Sequence, residues 1–200
     1  MVRKLLIASG NKGKVKEIKK YLSDFDFDII GMEEYPSLPE VVEDGSTFKE
    51  NALKKAKDRA RRTGLLTLAD DSGLVVNALN GEPGVYSARY AGADATDDEN
   101  NTKLVREIKK IPLKNRQAHF ECVMALVDPE DGELVVRGSV EGLIITEPRG
   151  ENGFGYDPLF FITGLDKTMA ELPLEKKNQI SHRASALKKL KKEINDLPAY

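Results

Sequence analysis

The chain has 200 residues, of which 40% are hydrophobic and 32% are charged, and its formal net charge is −2. This composition is typical of a folded globular protein of one domain or two small lobes, and the charge argues against a strongly basic nucleic-acid-binding protein. The single cysteine, Cys122, excludes an internal disulfide and fits a reducing compartment. No signal peptide or membrane span can be drawn, so a cytoplasmic location is expected.

The N-terminal half predicts a strand, two helices and a second strand, in that order. Residues 4–8 form an apolar run typical of a buried strand, and the segment ASGNKGK leads from it to apolar side chains at helical spacing. A second helix is expected between a capping box at Thr47 and Glu50 and a stop at Gly64. A further apolar strand over residues 65–69 then runs into the sequence DDSG.

The C-terminal half predicts a helix and a group of antiparallel strands. A second capping box, at Thr96 and Glu99, begins the helix. Alternating side chains over residues 118–126 indicate a strand with two different faces, and residues 134–136 and 140–145 are its expected neighbours. Helices mixed with hairpin-like strands predict an α/β or α+β fold with a mixed sheet.

The loop between the first strand and the first helix is a candidate phosphate-binding loop. Amides at a helix N-terminus attract anions, and glycines let the backbone approach them closely. The spacing matches neither the Walker pattern nor the dinucleotide pattern of three glycines. The alternative is a polar turn with solvated lysines. The residues in question are Ser9, Gly10, Asn11, Lys12, Gly13 and Lys14.

Two adjacent carboxylates, Asp70 and Asp71, come at the predicted C-terminal end of an apolar strand, where sites of α/β proteins gather. Because neighbouring strand residues point to opposite faces, we expect one to face a cleft and the other to brace a loop. Mg²⁺ needs few carboxylates besides water and phosphate oxygens. The alternative is an Asx-type turn. A second group of acidic residues lies earlier in the chain, between residues 40 and 50: Glu40, Glu43, Asp44 and Glu50.

Two segments near the C-terminus are candidates for base recognition. The glycine-spaced aromatic loop over residues 153–158 could stack on a base, or it could be a hydrophobic plug between strands. His182 and Arg183 open the last helix, predicted over residues 184–194, and could bind a phosphate or a base carbonyl. The alternative for this pair is a solvent-facing helix start.

Five segments, taken in order, resemble the inosine-triphosphate pyrophosphatase family, the non-canonical purine nucleoside triphosphate pyrophosphatases. Each motif is modest alone, but the five in this order are highly specific, and the resemblance runs from about residue 4 to about residue 195. The segments are SGN with a following lysine (9–14), ADDSGL (69–74), GEPGVYSARY (81–90), GFGYDP (153–158) and ISHR (180–183).

The resemblance implies a hydrolase that converts a purine nucleoside triphosphate and water into the monophosphate and pyrophosphate, with Mg²⁺. The implied substrates are ITP, dITP and XTP, deaminated purine nucleotides that this activity removes from the nucleotide pool. The implied fold is one α/β domain over residues 1–200, with a mixed, bent central sheet, helices, and two lobes around a central cleft. A homodimer is implied, with no nucleic-acid or membrane partner.

The resemblance also assigns roles to residues. Asp71 matches the catalytic proton acceptor and a Mg²⁺ ligand, with Glu40 as the further metal ligand and Glu43 as its rival. The residues that would bind the triphosphate are Ser9, Gly10, Asn11, Lys12, Gly13 and Lys14. The other substrate-binding positions are Ser72, Phe154, Gly155, Tyr156, Asp157, Lys177, His182 and Arg183, of which residues 154–157 would face the base.

Two other functions are compatible with parts of the sequence. A Maf-like pyrophosphatase acting on pyrimidine nucleotides would share the chemistry, but the pair His182 and Arg183 argues against it. A nucleotide-binding protein without catalytic activity would share the predicted cleft, but Asp71 and the acidic group near Glu40 argue against it. The purine nucleoside triphosphate pyrophosphatase is therefore the preferred hypothesis.

Overall fold

The structure is a computed structural model that describes residues 2–130 and 132–196, apart from the side chains of Lys12, Asn195 and Asp196. Short 3-10 turns lie in several connections. The helices and strands are β1 (Arg3–Ile7), α1 (Lys12–Tyr21), β2 (Phe27–Gly31), α2 (Phe48–Thr63), β3 (Leu66–Val76), α3 (Asp97–Ile108), β4 (Gln117–Asp128), β5 (Gly132–Ile144), β6 (Phe160–Ile162), β7 (Lys167–Thr168), α4 (Leu174–Ile180) and α5 (His182–Asp196).

The strands form one mixed sheet in the order β2-β1-β3-β4-β5-β6-β7. β1 is parallel to both β2 and β3, whereas β6 is antiparallel to both β5 and β7. The predicted α/β fold with a mixed sheet is confirmed. The last three residues of β1, Leu5, Leu6 and Ile7, are apolar and fully buried, as expected for a parallel strand covered on both faces.

The chain divides into two compact units. The first contains the residues up to Asp71, Cys122–Gly138 and the segment from Ala186 onward, and the second contains Ser72–Glu121 and Ser139–Ser185. Each unit has its own hydrophobic core. The core of the first unit is centred on β1, α1 and the buried face of α5, and the core of the second on α3, β6 and the start of β4.

Both predicted capping boxes are present. The Thr47 side chain accepts from the Glu50 backbone N–H at the start of α2, and Thr96 accepts from Glu99 at the start of α3. α2 ends at Gly64, whose φ of 68° is the left-handed conformation that glycine adopts without steric cost. No helix within the described ranges is long and apolar enough to cross a membrane.

Three sequence predictions about strands are wrong. The DDSG sequence is neither a strand end nor a turn, because β3 continues through it to Val76. β4 alternates only at its start and is buried on both faces from Phe120 to Val127, since it lies between β3 and β5. The two short strands predicted around Gly138 are the single strand β5, because pairing with neighbouring strands offsets the weak strand propensity of glycine.

Candidate active site

The predicted phosphate loop connects β1 to α1, and Asn11 is the N-cap of the helix. The Asn11 Oδ1 accepts from the backbone N–H groups of Gly13 and Lys14 at 3.0 and 3.1 Å. These two amides are therefore used inside the loop. A side chain at Gly10 would meet no atom within 4 Å, so a ligand can approach the backbone there. Ser9 is half-buried and its Oγ accepts from the Asn11 amide at 3.3 Å.

Lys14 is held at the first turn of α1 by a buried carboxylate. Its Nζ lies 3.0 Å from the Asp70 Oδ2, and the Asp70 side chain has no exposed surface. The Cys122 thiol lies 3.9 Å from the same oxygen. Asp70 therefore fixes the direction of a lysine that keeps part of its own surface exposed to solvent. The side chain of Lys12, also predicted to bind phosphate, lies outside the described part of the chain.

Asp71 points to the opposite face of β3 and has a different set of neighbours. Its Oδ2 accepts from the Asn51 Nδ2 at 2.9 Å. Burial raises the pKa of the Asp71 carboxyl above its ordinary value, and the charge of Glu43 raises it further, whereas Lys55 and the Asn51 hydrogen bond lower it. A carboxylate with a raised pKa can accept a proton from water more readily, so Asp71 has the properties of a general base.

Both candidate second metal ligands line one cavity of about 460 Å³ in the first unit, beside Ser9 and Gly10. Glu40 is exposed, whereas Glu43 is half-buried and its Oε2 lies 2.9 Å from the Lys55 Nζ. Within the described residues, no three acidic, histidine or cysteine side chains form a ready-made metal site. Mg²⁺ usually uses only one or two carboxylates together with water and substrate phosphates, so the available oxygens fit it.

In the second unit, the aromatic loop is built around a buried ion pair between Asp157 and Lys177. The Asp157 Oδ2 also accepts from the Phe154 backbone N–H at 3.0 Å. The Lys177 Nζ lies 4.7 Å from the centroid of the Phe154 ring. Phe154 is 42% exposed, which leaves aromatic surface available for stacking.

The remainder of the aromatic loop is tied to α3 and to the core of the second unit. The Gly155 N–H donates to Asp97 at 2.6 Å, and the Asn101 Nδ2 donates to the Gly155 carbonyl at 2.9 Å. Tyr156 is buried, its hydroxyl donates to the Ser87 carbonyl at 2.8 Å, and burial raises its pKa. Tyr156 therefore matches the hydrophobic-plug alternative, while Phe154 matches the stacking one.

His182 and Arg183 are buried, so the alternative of a solvent-facing helix start is wrong. The His182 ring is stacked on Phe120 with the centroids 5.0 Å apart. The Arg183 guanidinium donates to the Ser72 Oγ at 3.4 Å. Three predicted substrate-binding residues from two separate segments, Ser72, His182 and Arg183, thus belong to the same unit as the aromatic loop.

Four residues with contacts to the predicted site were missed in the sequence. Asn51 and Lys55 lie one turn apart on α2 and act on Asp71, and Asp97 and Asn101 lie one turn apart on α3 and bind Gly155. The sequence did contain a signal for Asn51. It is a polar residue that comes directly after a capping box and next to the apolar face of the predicted helix, where a buried polar side chain needs a partner.

Comparison with known proteins gives concordant results. The model of the Ham1 family matches residues 5–193. A dITP/XTP pyrophosphatase of Geobacter sulfurreducens is 52% identical over 191 residues, which cover 96% of each chain. Among solved structures, a HAM1 protein of Coxiella burnetii has a TM-score of 0.91 at 43% identity, covering 98% of this chain and all of that one.

The Ham1 protein of Staphylococcus aureus is similar to the same degree, with a TM-score of 0.89 at 43% identity over 97% of this chain and 99% of that one. These matches include every segment from which the site is built, and they confirm the resemblance that the order of the five motifs predicted. The chain therefore belongs to the Ham1 family.

Proposed function

We propose that this protein hydrolyses the non-canonical purine nucleoside triphosphates ITP, dITP and XTP to the monophosphate and pyrophosphate. The observation that carries the proposal is the buried Asp71, whose pKa is raised and which lies in the same unit as a loop with a directed lysine, Lys14. Relatives named dITP/XTP pyrophosphatase, about half identical over nearly the full chain, support the reaction and the substrate class.

The residues of the first unit would perform the phosphate chemistry. Asp71 would orient the attacking water and accept its proton. Lys14, fixed in direction by Asp70, would neutralise charge on the triphosphate, and the open backbone at Gly10 would let a phosphate oxygen approach. These groups are preorganised, so they need little rearrangement when charge develops in the transition state.

A divalent cation fits this unit, and we propose Mg²⁺. When bound, it would supply charge neutralisation for the phosphate oxygens. Asp71 and Glu43 are the proposed ligands. We place Glu43 ahead of Glu40 because Glu43 is half-buried and its charge raises the Asp71 pKa, whereas Glu40 is exposed. Glu43→Gln should raise the Mg²⁺ concentration needed for half-maximal rate far more than Glu40→Gln.

The residues of the second unit would select the base. Phe154 offers a partly exposed ring for stacking. Lys177 and Arg183 have only hydrogen-bond donors, which suit the 6-oxo group shared by hypoxanthine and xanthine. Adenine carries an amine at that position and would leave such donors unpaired. Discrimination of about 10⁴-fold is typical of sites that depend on buried hydrogen bonds.

The test is pyrophosphate release from ITP, XTP, ATP, GTP, dTTP and UTP, with Mg²⁺ and with EDTA. We expect Mg²⁺-dependent release from ITP and XTP. Release mainly from the pyrimidine nucleotides would overturn the substrate class and favour a Maf-like enzyme. Binding of ITP without release from any nucleotide would overturn the reaction. We also propose, from the resemblance alone, that the protein is cytoplasmic and forms a homodimer. Light scattering on the purified protein would test the oligomeric state.

A further inference from the structure

Two helices begin with the same five-residue pattern, Thr-x-x-Glu-Asn. The pattern is TFKEN over residues 47–51 at the start of α2 and TDDEN over residues 96–100 at the start of α3. In both, the threonine and the glutamate form a capping box. The asparagine that follows is buried in both, with 0% exposure for Asn51 and 3% for Asn100. Buried amides need hydrogen-bond partners, and these partners can be compared.

The amide oxygens of the two asparagines have equivalent partners. The Asn51 Oδ1 accepts from the Gly45 N–H at 2.8 Å, and the Asn100 Oδ1 accepts from the Ala91 N–H at 2.8 Å. Gly45 and Ala91 each lie in the segment that precedes the helix. In both units, therefore, the asparagine holds the chain that enters its helix.

The amide nitrogens have different partners. The Asn100 Nδ2 donates to the Ala88 backbone carbonyl at 3.2 Å, so Asn100 joins two pieces of backbone. The Asn51 Nδ2 donates instead to the Asp71 Oδ2 at 2.9 Å. The same residue type at the same helix position thus has a purely structural contact in one unit, and a contact to the proposed general base in the other.

We propose that Asn51 is a positioning residue of the hydrolysis reaction, which fixes the rotation of the Asp71 carboxylate and connects it to the segment that carries Glu43. The inference rests on the proposed function. A hydrogen bond to one carboxylate oxygen sets the plane of the group, and outer partners of this kind orient metal-binding carboxylates. Because the bond passes through one side chain to Gly45, the orientation of Asp71 and the position of the acidic segment depend on each other.

The contacts of the acidic segment support this connection. A Cβ at Gly45 would lie 2.6 Å from the Asn51 Oδ1, so the backbone packs closely against the amide. The next residue, Ser46, is held by the Glu50 carboxylate, which accepts from its N–H at 2.7 Å and from its hydroxyl at 2.8 Å. Of the hydrogen bonds that join this segment to α2, the one at Gly45 leads on to Asp71.

The chemistry of an amide suits this position. A lysine or arginine would neutralise the negative charge that the cation and the proton transfer need, and a carboxylate would repel Asp71. An amide donates one hydrogen bond to Asp71 and accepts one from Gly45 without adding charge.

The test compares Asn51→Leu with Asn100→Leu, the same change at the same position of the two helices. Both remove two hydrogen bonds, so both should lower the melting temperature. We expect only Asn51→Leu to reduce kcat for ITP and the affinity for Mn²⁺ in the absence of nucleotide, each by about 10- to 100-fold, the usual cost of losing an outer partner of a metal site. The KM for ITP should change much less than kcat.

Mn²⁺ binding is measured by electron paramagnetic resonance, without substrate. Asn51→Leu with wild-type kcat and wild-type Mn²⁺ affinity would overturn the proposal. An equal loss of kcat in Asn100→Leu would also overturn it, since the effect would then be general destabilisation. If wild-type protein binds Mn²⁺ but releases no pyrophosphate, the proposed function fails, while the Mn²⁺ comparison still tests whether Asn51 positions Asp71.

Two further variants keep the test decisive if Asn51→Leu does not fold. Asn51→Asp preserves the shape of the side chain and the acceptor for the Gly45 N–H, but replaces the donor to Asp71 with a carboxylate. It should lose kcat with little change in the KM for ITP. Gly45→Ala keeps the donor to Asp71 but presses a methyl group against the Asn51 Oδ1 and the Glu50 Cβ, and it should give a smaller loss of kcat. Wild-type kcat in Asn51→Asp would overturn the proposal.

Discussion

Each unit of the molecule contains a buried aspartate paired with a lysine, and the two pairs differ in their exposure. In the first unit, Asp70 has no exposed side-chain surface, but Lys14 is 16% exposed. In the second unit, both Asp157 and Lys177 are only 5% exposed. A buried ion pair is costly to break, because it leaves one charge without compensation in a poorly solvated place.

The neighbours of each pair explain the difference. Lys14 lies at the start of α1, beside an open loop, and can contact an anion from solvent while Asp70 keeps its direction. Lys177 lies over the Phe154 ring, and its partner Asp157 accepts a hydrogen bond from the Phe154 backbone N–H. The first pair therefore leaves part of its lysine open to solvent, whereas the second is almost closed to solvent and is tied into a loop. The role of Lys177 in binding substrate stays a prediction.

The largest expected effect is on kcat, and it is expected at Asp71, which follows Asp70 of the first pair in the chain. Asp71→Asn removes the proton acceptor but keeps an oxygen for the Asn51 hydrogen bond. We expect kcat for ITP to fall by about 10²- to 10⁴-fold, the usual contribution of general base catalysis, while ITP binding persists. Steady-state kinetics and equilibrium binding measure the two quantities. A wild-type kcat would remove Asp71 from the mechanism.

The second pair should respond mainly in stability. Asp157→Ala leaves the Lys177 ammonium buried without its carboxylate, and we expect the free energy of unfolding to fall by about 3–5 kcal/mol. Urea denaturation measures this loss. The matched control is Asp44→Ala, which breaks an exposed pair with Lys54 and should leave the denaturation midpoint unchanged. Equal midpoints for the two variants would contradict the structural role of the Asp157 pair.

The first pair should respond in substrate affinity as well as in stability, because Lys14→Ala also leaves the buried Asp70 carboxylate without its lysine. Lys14→Ala removes a charge-assisted contact to the triphosphate, and we expect the KM for ITP to rise by roughly 10- to 100-fold. The inhibition constant of IMP should change much less. Lys16→Ala, on the exposed side of the same helix, is the control. If Lys14→Ala weakens ITP and IMP equally, the lysine does not hold the triphosphate.

The smallest expected effect is a gain in stability. The pKa of Asp71 is raised in the folded protein, so its ionisation opposes folding above that pKa, and the penalty disappears as the pH falls below the unfolded value. Asp71→Asn should therefore melt at a higher temperature than the wild type at neutral pH in metal-free buffer, with the difference shrinking in acid. The raised pKa would be contradicted if the melting temperature of Asp71→Asn, measured against that of the wild type, were lower at neutral pH than in acid.

Local patterns in the sequence predicted the parts of the fold that depend on neighbouring residues. Both capping boxes and the stop at Gly64 involve hydrogen bonds between groups a few residues apart, so their spacing is visible in the chain. The strand, loop and helix around Ser9 to Lys14 were predicted for the same reason. The order of five motifs identified the family because it does not depend on knowing how the segments pack.

The tertiary structure decided what depends on residues far apart in the chain. The DDSG sequence continues as a strand that lies between β1 and β4 in the sheet, and its carboxylates have partners on α1 and α2: Asp70 pairs with Lys14, and Asp71 accepts from Asn51. The burial of Tyr156 and the effect of the Glu43 charge on Asp71 follow from packing that no spacing encodes. The sequence determined which groups are available and the local turns that present them. Burial and long-range contacts decided that Asp70 pairs with a lysine and that Asp71 accepts from an amide. The two residues are neighbours in one local pattern, so only their surroundings distinguish them.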